Sequence, residues 1–142
     1  MPDVLVDASA LVALLDRDDG AHEPCVEALR HIRDPLATVW PALAEALHLL
    51  GDVPPGQEAL LDMVEDGALK LAALHEADVP RMKELMRKYR DTPMDFADAA
   101  LVRIAEREGL TRILTFDAHF KVYALPRRAR FVVLPANGVS WP

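Results

Sequence analysis

The chain has 142 residues and a mass of 15.7 kDa, the size of one ordinary domain. A 51% hydrophobic share with only 6 Gly excludes a disordered or collagen-like chain, and the single cysteine, Cys25, excludes an intramolecular disulfide framework. Acids outnumber bases 23 to 16, giving a net charge of −7 and a pI near 5.1, so the overall field repels a polyanion and any nucleic-acid partner needs local help. No basic leader is present, and Asp7 breaks the apolar opening, so neither a secretory signal nor a spanning helix is expected. A soluble, cytoplasmic protein is the expectation.

The first element is a short apolar strand, Val4-Leu5-Val6, that stops at Asp7 and feeds a helix from Ser9 to Leu15. After the turn-forming Asp16 to Gly20, Cys25, Val26, Leu29 and Ile32 recur at helical spacing, and Leu36 to Val39 reads as a second strand. Pro41 opens a helix that runs through Leu50 and stops at Gly51. Past the Pro54-Pro55-Gly56 break, Ala59, Leu60, Met63 and Val64 mark a fourth helix, and Leu69 to Leu74 a third strand. Glu76 to Tyr89 is an amphipathic helix with Met82, Leu85 and Met86 on its apolar stripe, and Thr92-Pro93-Met94-Asp95 starts a sixth helix that ends before Gly109. Ile113 to Phe116 and Phe131 to Leu134 are the last two strands. Short apolar runs separated by helices predict a central parallel sheet covered on both faces, a three-layer α/β/α architecture in a single domain over 1–142.

Ligands of such a sheet sit beyond the carboxyl ends of its strands. Asp7 and Asp117 stand at two of those ends, although either alone is equally a helix or turn cap. Glu45 is the only charged residue between Asp34 and Asp52, in a helix otherwise made of apolar residues and one His, where an unpaired buried carboxylate is costly. Asp98 has Leu101 and Val102 as its i+3 and i+4 neighbours. Asp95 lies one turn earlier and also fits a capping box with Thr92 as N-cap. Carboxylates gathered in one pocket raise one another's pKa unless a cation offsets them, and an all-oxygen donor set suits Mg²⁺ or Mn²⁺. A hard cation of that kind favours attack of water on phosphorus, which makes phosphodiester hydrolysis the natural chemistry.

With those residues in this order, the chain resembles the PIN domain family, the nuclease fold that includes VapC-type toxins. The likeness runs through Val4 to Leu15, Glu45, Pro93-Met94-Asp95-Phe96-Ala97-Asp98-Ala99 and Thr115-Phe116-Asp117. It implies a ribonuclease holding Mg²⁺ or Mn²⁺ through Asp7, Glu45, Asp98 and Asp117, with Asp95 contributing and Ser9 and Thr115 supporting the ligands. It further implies 5′-phosphate and 3′-hydroxyl product ends, a homodimer and, for a toxin, an antitoxin protein whose segment occludes the acidic pocket. Where many relatives carry a further acid before the last aromatic residue, this chain has Ala118-His119-Phe120, which bears on a second ion; His119 is expected at the surface.

Other constellations fall away. Glu45-x-x-His48 occurs once, whereas a di-iron bundle needs the motif twice. A two-aspartate phosphatase motif would need an acid where Ser9 stands. Arg81, Lys83, Arg87, Lys88 and Arg90, and again Lys121, Arg127, Arg128 and Arg130, are basic stretches able to meet phosphates or simply to be solvated. Trp40, Tyr89 and Phe120 are expected in the core rather than stacked on bases. The competing readings are a non-catalytic PIN-like module that binds RNA or protein, and a DNA nuclease.

Overall fold

The structure is a computed structural model that describes residues 3–135. Five strands, β1 (Val4–Val6), β2 (Leu36–Thr38), β3 (Leu69–Leu71), β4 (Arg112–Leu114) and β5 (Val132–Leu134), form one sheet in the order β3-β2-β1-β4-β5, and every pairing is parallel. β1 is central, with Leu5 opposite Ala37 on one side and Ile113 on the other. The apolar character of the strand segments follows from this: Leu5, Ala37 and Ile113 enter one core layer, while Val4, Val6, Leu69 and Leu114 enter the other.

The layer beyond Val4 and Val6 is built from α1 (Ala8–Leu15), α2 (His22–His31) and α4 (Gly56–Glu65). The opposite layer is built from α5 (Val79–Lys88) and α6 (Phe96–Glu108), joined by an aromatic cluster from the C-terminal segment. α3 (Trp40–Leu49) straddles the two, with Ala42 in one layer and Leu43 and Ala46 in the other. Gly109 takes a left-handed backbone (φ 69°) just past α6, the conformation that made it the expected helix stop.

Several boundaries differ from expectation: the second strand ends at Thr38, the fifth begins at Val132, and the helix read from Glu76 is a 3₁₀ turn (Glu76–Asp78) leading into α5. The third strand ends at Leu71 rather than Leu74. The fourth spans Arg112–Leu114, so Asp117 lies beyond its end rather than directly against it. α6 begins at Phe96, and its N-cap is Asp95 itself, whose carboxylate accepts from the Asp98 amide at 2.8 Å; Thr92 is not the cap.

Opposite the sheet's carboxyl edge, a buried carboxylate joins the start of α5 to α6. Asp78 Oδ2 accepts from the His75 amide (2.9 Å), Arg103 Nε donates to Oδ1 (2.8 Å), and Arg107 Nη1 donates to Oδ2 (2.6 Å) while its Nη2 donates to the Ala73 carbonyl. These bonds, the backbone one foremost, hold the Asp78 carboxyl at about 2. The stability they give is therefore complete above the ordinary value of 3.8 and is lost as pH falls through about 2. Asp78→Asn leaves Arg107 to Glu108 and Arg103 to the more distant Glu106 (3.9 Å) as their anions, and we expect a loss of about 2 kcal/mol at neutral pH by urea denaturation. The variant should also lose most of the wild type's destabilisation between about pH 4 and 2; an unchanged midpoint would remove this network from the supports of the fold.

Candidate active site

β1 and β4 are neighbours, so the residues that follow them share one edge. Asp7, the first residue after β1, is the N-cap of α1, and its Oδ1 accepts from the Ala10 amide at 3.1 Å. The side chain is only 5% exposed, and two hydroxyls complete its shell: Ser9 Oγ donates to Oδ1 at 2.7 Å and Thr115 Oγ1 to Oδ2 at 2.5 Å. Both hydroxyls also accept, Ser9 from the Phe116 amide and Thr115 from the Asp117 amide, each at 2.9 Å. The clamp thus fastens the exit of β1 to the exit of β4 through side chains. Ser9 and Thr115 occupy the supporting places expected of them.

Asp98 comes from the first turn of α6 and is 9% exposed. Its Oδ2 accepts from the Tyr123 hydroxyl at 3.0 Å. Asp117 caps the short 3₁₀ turn Ala118–Lys121 by accepting from the His119 amide, and His119 Nδ1 lies 2.9 Å from the same Oδ1. His119 is at the surface as expected, and its ring is held against Asp117. Glu45 is exposed on α3, as is His48 one turn further on.

Asp7, Ser9, Glu45, Asp95, Asp98 and Asp117 together line one cavity of about 70 Å³, with Ala8, Ala42, Ala97 and Leu101 as its apolar wall. All five acids singled out from the sequence therefore meet, and no lysine or arginine lines the cavity among the described residues. The electrostatics follow. Burial raises the Asp7 carboxyl against the lowering pull of Thr115, Ser9 and the Ala10 amide, and Asp117 raises it further. Asp98 is raised to about 7, first by burial and then by the charge of Asp95, with Asp117 adding to this and the Tyr123 hydroxyl opposing it. Glu45 is raised by desolvation and then by Asp95, Asp7 and Asp117.

Among the described residues, no three of these side chains already converge as a ready-made ion cage. Asp7 is turned to its two hydroxyls, and Asp98 has one oxygen committed to Tyr123. The donor set nevertheless suits a hard divalent ion, since Mg²⁺ keeps several waters and takes only one or two carboxylates directly. Uncompensated negative charge, small volume and all-oxygen chemistry agree on that class of ligand.

Two expectations outside the cavity change. Trp40 is 60% exposed rather than core, whereas Tyr89 and Phe120 are buried. Arg81, read as able to meet phosphates or simply to be solvated, is engaged by both Glu106 oxygens and by Glu84. Lys83, Arg87, Lys88 and Arg90 are exposed, as are Lys121, Arg127, Arg128 and Arg130. Tyr123 is the functional-site neighbour that sequence reasoning did not select; the only available signal was that a tyrosine within an apolar segment needs a partner for its hydroxyl.

The sequence model of the PIN domain family matches residues 4–125. Ribonuclease VapC26 of Mycobacterium tuberculosis (strain ATCC 25618 / H37Rv) is 31% identical over 136 residues, covering 93% of this chain and all of that protein. Among solved structures, the M. tuberculosis toxin VapC20, which cleaves the sarcin-ricin loop, aligns with a TM-score of 0.75 at 17% identity over 84% of this chain and 93% of its own. VapBC2 of Rickettsia felis, bound to a DNA fragment from its promoter, aligns with a TM-score of 0.63 at 14% identity over 92% of this chain and 98% of that one. A toxin–antitoxin complex from Klebsiella pneumoniae gives 0.61 at 16% identity, over 81% and 87%.

A cavity of mutually raised carboxyls should weaken the metal-free protein as they ionise. With a chelator present, the cost of ionising Asp98 is absent below about pH 4, where the folded and unfolded forms are both protonated, and grows until pH passes about 7. We expect the melting temperature in chelator to fall across that window. Asp98→Asn should flatten much of the fall and raise stability at pH 8 by about 1 kcal/mol, or roughly 4 °C. Melting curves of the two proteins at pH 5 and pH 8 decide it: equal pH dependence would mean that Asp98 ionises without penalty.

Proposed function

The chain belongs to the PIN domain family, and from that premise we propose that it is a metal-dependent endoribonuclease, the toxin of a toxin–antitoxin pair, with 1–142 folding as a single PIN-like domain. The observation that carries this reading is the single cavity in which Asp7, Glu45, Asp95, Asp98 and Asp117 meet without a lining cation. Its full set of acids favours turnover over a non-catalytic binding module, which has no need to concentrate charge at such cost. The 31% identical ribonuclease favours RNA over DNA as the substrate.

In this reading Asp7, Glu45, Asp98 and Asp117, with help from Asp95, hold Mg²⁺ or Mn²⁺. Bound there, the ion supplies Lewis acidity toward the phosphate and acidifies water in its shell. Asp7 is the fixed ligand, because Ser9 and Thr115 leave its carboxylate no freedom to rotate away. Glu45, exposed and raised, is placed to orient the attacking water and take up its proton. Asp117 and the backbone turn it caps bring a further carboxylate to the same cavity. Exposed Lys121, Arg127, Arg128 and Arg130 are the local cations that a net-negative protein needs to meet RNA phosphates. The toxin–antitoxin complexes among the similar structures support an antitoxin partner; the reading further includes a segment of that partner over the acidic cavity and a homodimer working in the cytoplasm.

Purified protein should cleave RNA with Mn²⁺ or Mg²⁺ and stop when a chelator is added. Asp7→Asn and Asp98→Asn should each lower the rate by at least about 100-fold while circular dichroism stays native. The products should carry 5′-phosphate and 3′-hydroxyl ends; a 2′,3′-cyclic phosphate would mean that the RNA's own hydroxyl attacked, and it would overturn the water mechanism.

A further inference from the structure

Tyr123 is among the largest fully buried side chains of the protein, yet it lies outside every acidic motif. Its ring is locked edge-on between Tyr89 (centroids 5.0 Å apart, 65°) and Phe120 (5.2 Å, 82°), and Phe120 in turn packs edge-on against Phe131 (5.8 Å, 77°). The backbone is fixed as well: the Tyr123 amide donates to the His119 carbonyl, and the next amide, of Ala124, donates to the Tyr89 hydroxyl at 2.8 Å. A side chain held on all sides in this way points its hydroxyl at a single acceptor, Asp98 Oδ2 at 3.0 Å.

We propose that Tyr123 is a positioning residue for Asp98: its hydroxyl fixes Oδ2 and so sets the orientation in which the other carboxylate oxygen is offered to the divalent ion. The inference rests on the metal-site reading above and adds to it a residue from a different element. Asp7 has an equivalent arrangement, with hydroxyls on both oxygens, but from neighbours at its own sheet edge. For Asp98 the tether comes from the segment that follows Asp117. One short stretch therefore supplies an acid at 117 and the orientation of another at 98, and a displacement of either end alters the spacing between the two carboxylates. Such outer partners of metal ligands change affinity by roughly 10–100-fold when removed.

The test is Tyr123→Phe, which deletes one hydroxyl and keeps the ring and its edge contacts. Free Mn²⁺ is followed by electron paramagnetic resonance during titration of each protein, alongside melting in chelator. We expect the variant to bind Mn²⁺ roughly 10-fold more weakly, to need correspondingly more Mn²⁺ for half-maximal RNA cleavage, and to recover most of its rate at saturating Mn²⁺. Tyr123→Leu, which removes both ring and hydroxyl, separates packing from positioning: its melting temperature should fall well below that of the Phe variant. Mn²⁺ affinity within twofold of wild type in Tyr123→Phe would overturn the tether while leaving the metal site intact. Wild-type protein that takes up no Mn²⁺ would overturn the metal site itself, and the tether with it.

Discussion

A buried carboxylate at the end of the central strand organises this molecule. Asp7 is at once the cap of α1, the acceptor for two hydroxyls and a wall of the acidic cavity, and each role constrains the others. Its burial would be prohibitive for a lone charge. Three donors, the Ala10 amide and the hydroxyls of Ser9 and Thr115, offset that cost only in part, because desolvation still raises the group. The remainder of the imbalance is what the proposed divalent ion would offset. Stability and affinity are opposed here: a protein with fewer acids at this edge would be sturdier, and it would have nothing to hold an ion.

The sheet order explains why the acids meet. With β1 in the middle and β4 beside it, the chain leaves two adjacent strands at the same edge, and α3 and α6 rest their first turns near that edge from β2 and from the α5 side. Small residues let the helices approach: Ala42 on α3 and Ala97 on α6 are among the apolar residues of the cavity wall, with Ala8 and Leu101. The opposite pole is held by a different chemistry, in which Asp78 is satisfied by two arginines and a backbone amide, so its charge is stabilised rather than penalised. Of these two buried aspartates, Asp78 has its charge compensated by its neighbours, and Asp7 does not.

Much of this was readable in the residues. Apolar triplets ending at an acid mark strand exits, and a lone Glu in an apolar helix is conspicuous because burial without a partner is so unfavourable. Local signals also located the helix stop at Gly109, where the backbone demands positive φ. What the sequence did not disclose depends on contacts between distant segments. Asp95 rather than Thr92 caps α6, since the choice between two competent caps is settled by where the preceding loop must run. Trp40 is exposed because it stands at the first position of α3, turned away from both layers, and periodicity says nothing about a helix's first residue. Arg81 is spoken for by Glu106 on the next helix, a pairing 25 residues apart. The Tyr123 hydroxyl reaches Asp98 across an equal separation, and no motif spacing anticipates it.

The bond between Thr115 and Asp7 joins residues 108 positions apart, and β4 can pair with β1 only after most of the chain exists. Closure over so long a span carries an entropic cost that grows with the logarithm of its length, and long-range pairing slows folding. During synthesis, therefore, the amino-terminal two-thirds of the polypeptide can emerge from the ribosome carrying Asp7, Glu45 and their helices while still lacking the opposite wall. The acid cluster is thus assembled only when the chain through Asp117 and Tyr123 has reached the sheet edge, so forming the pocket and gathering its charge are one event.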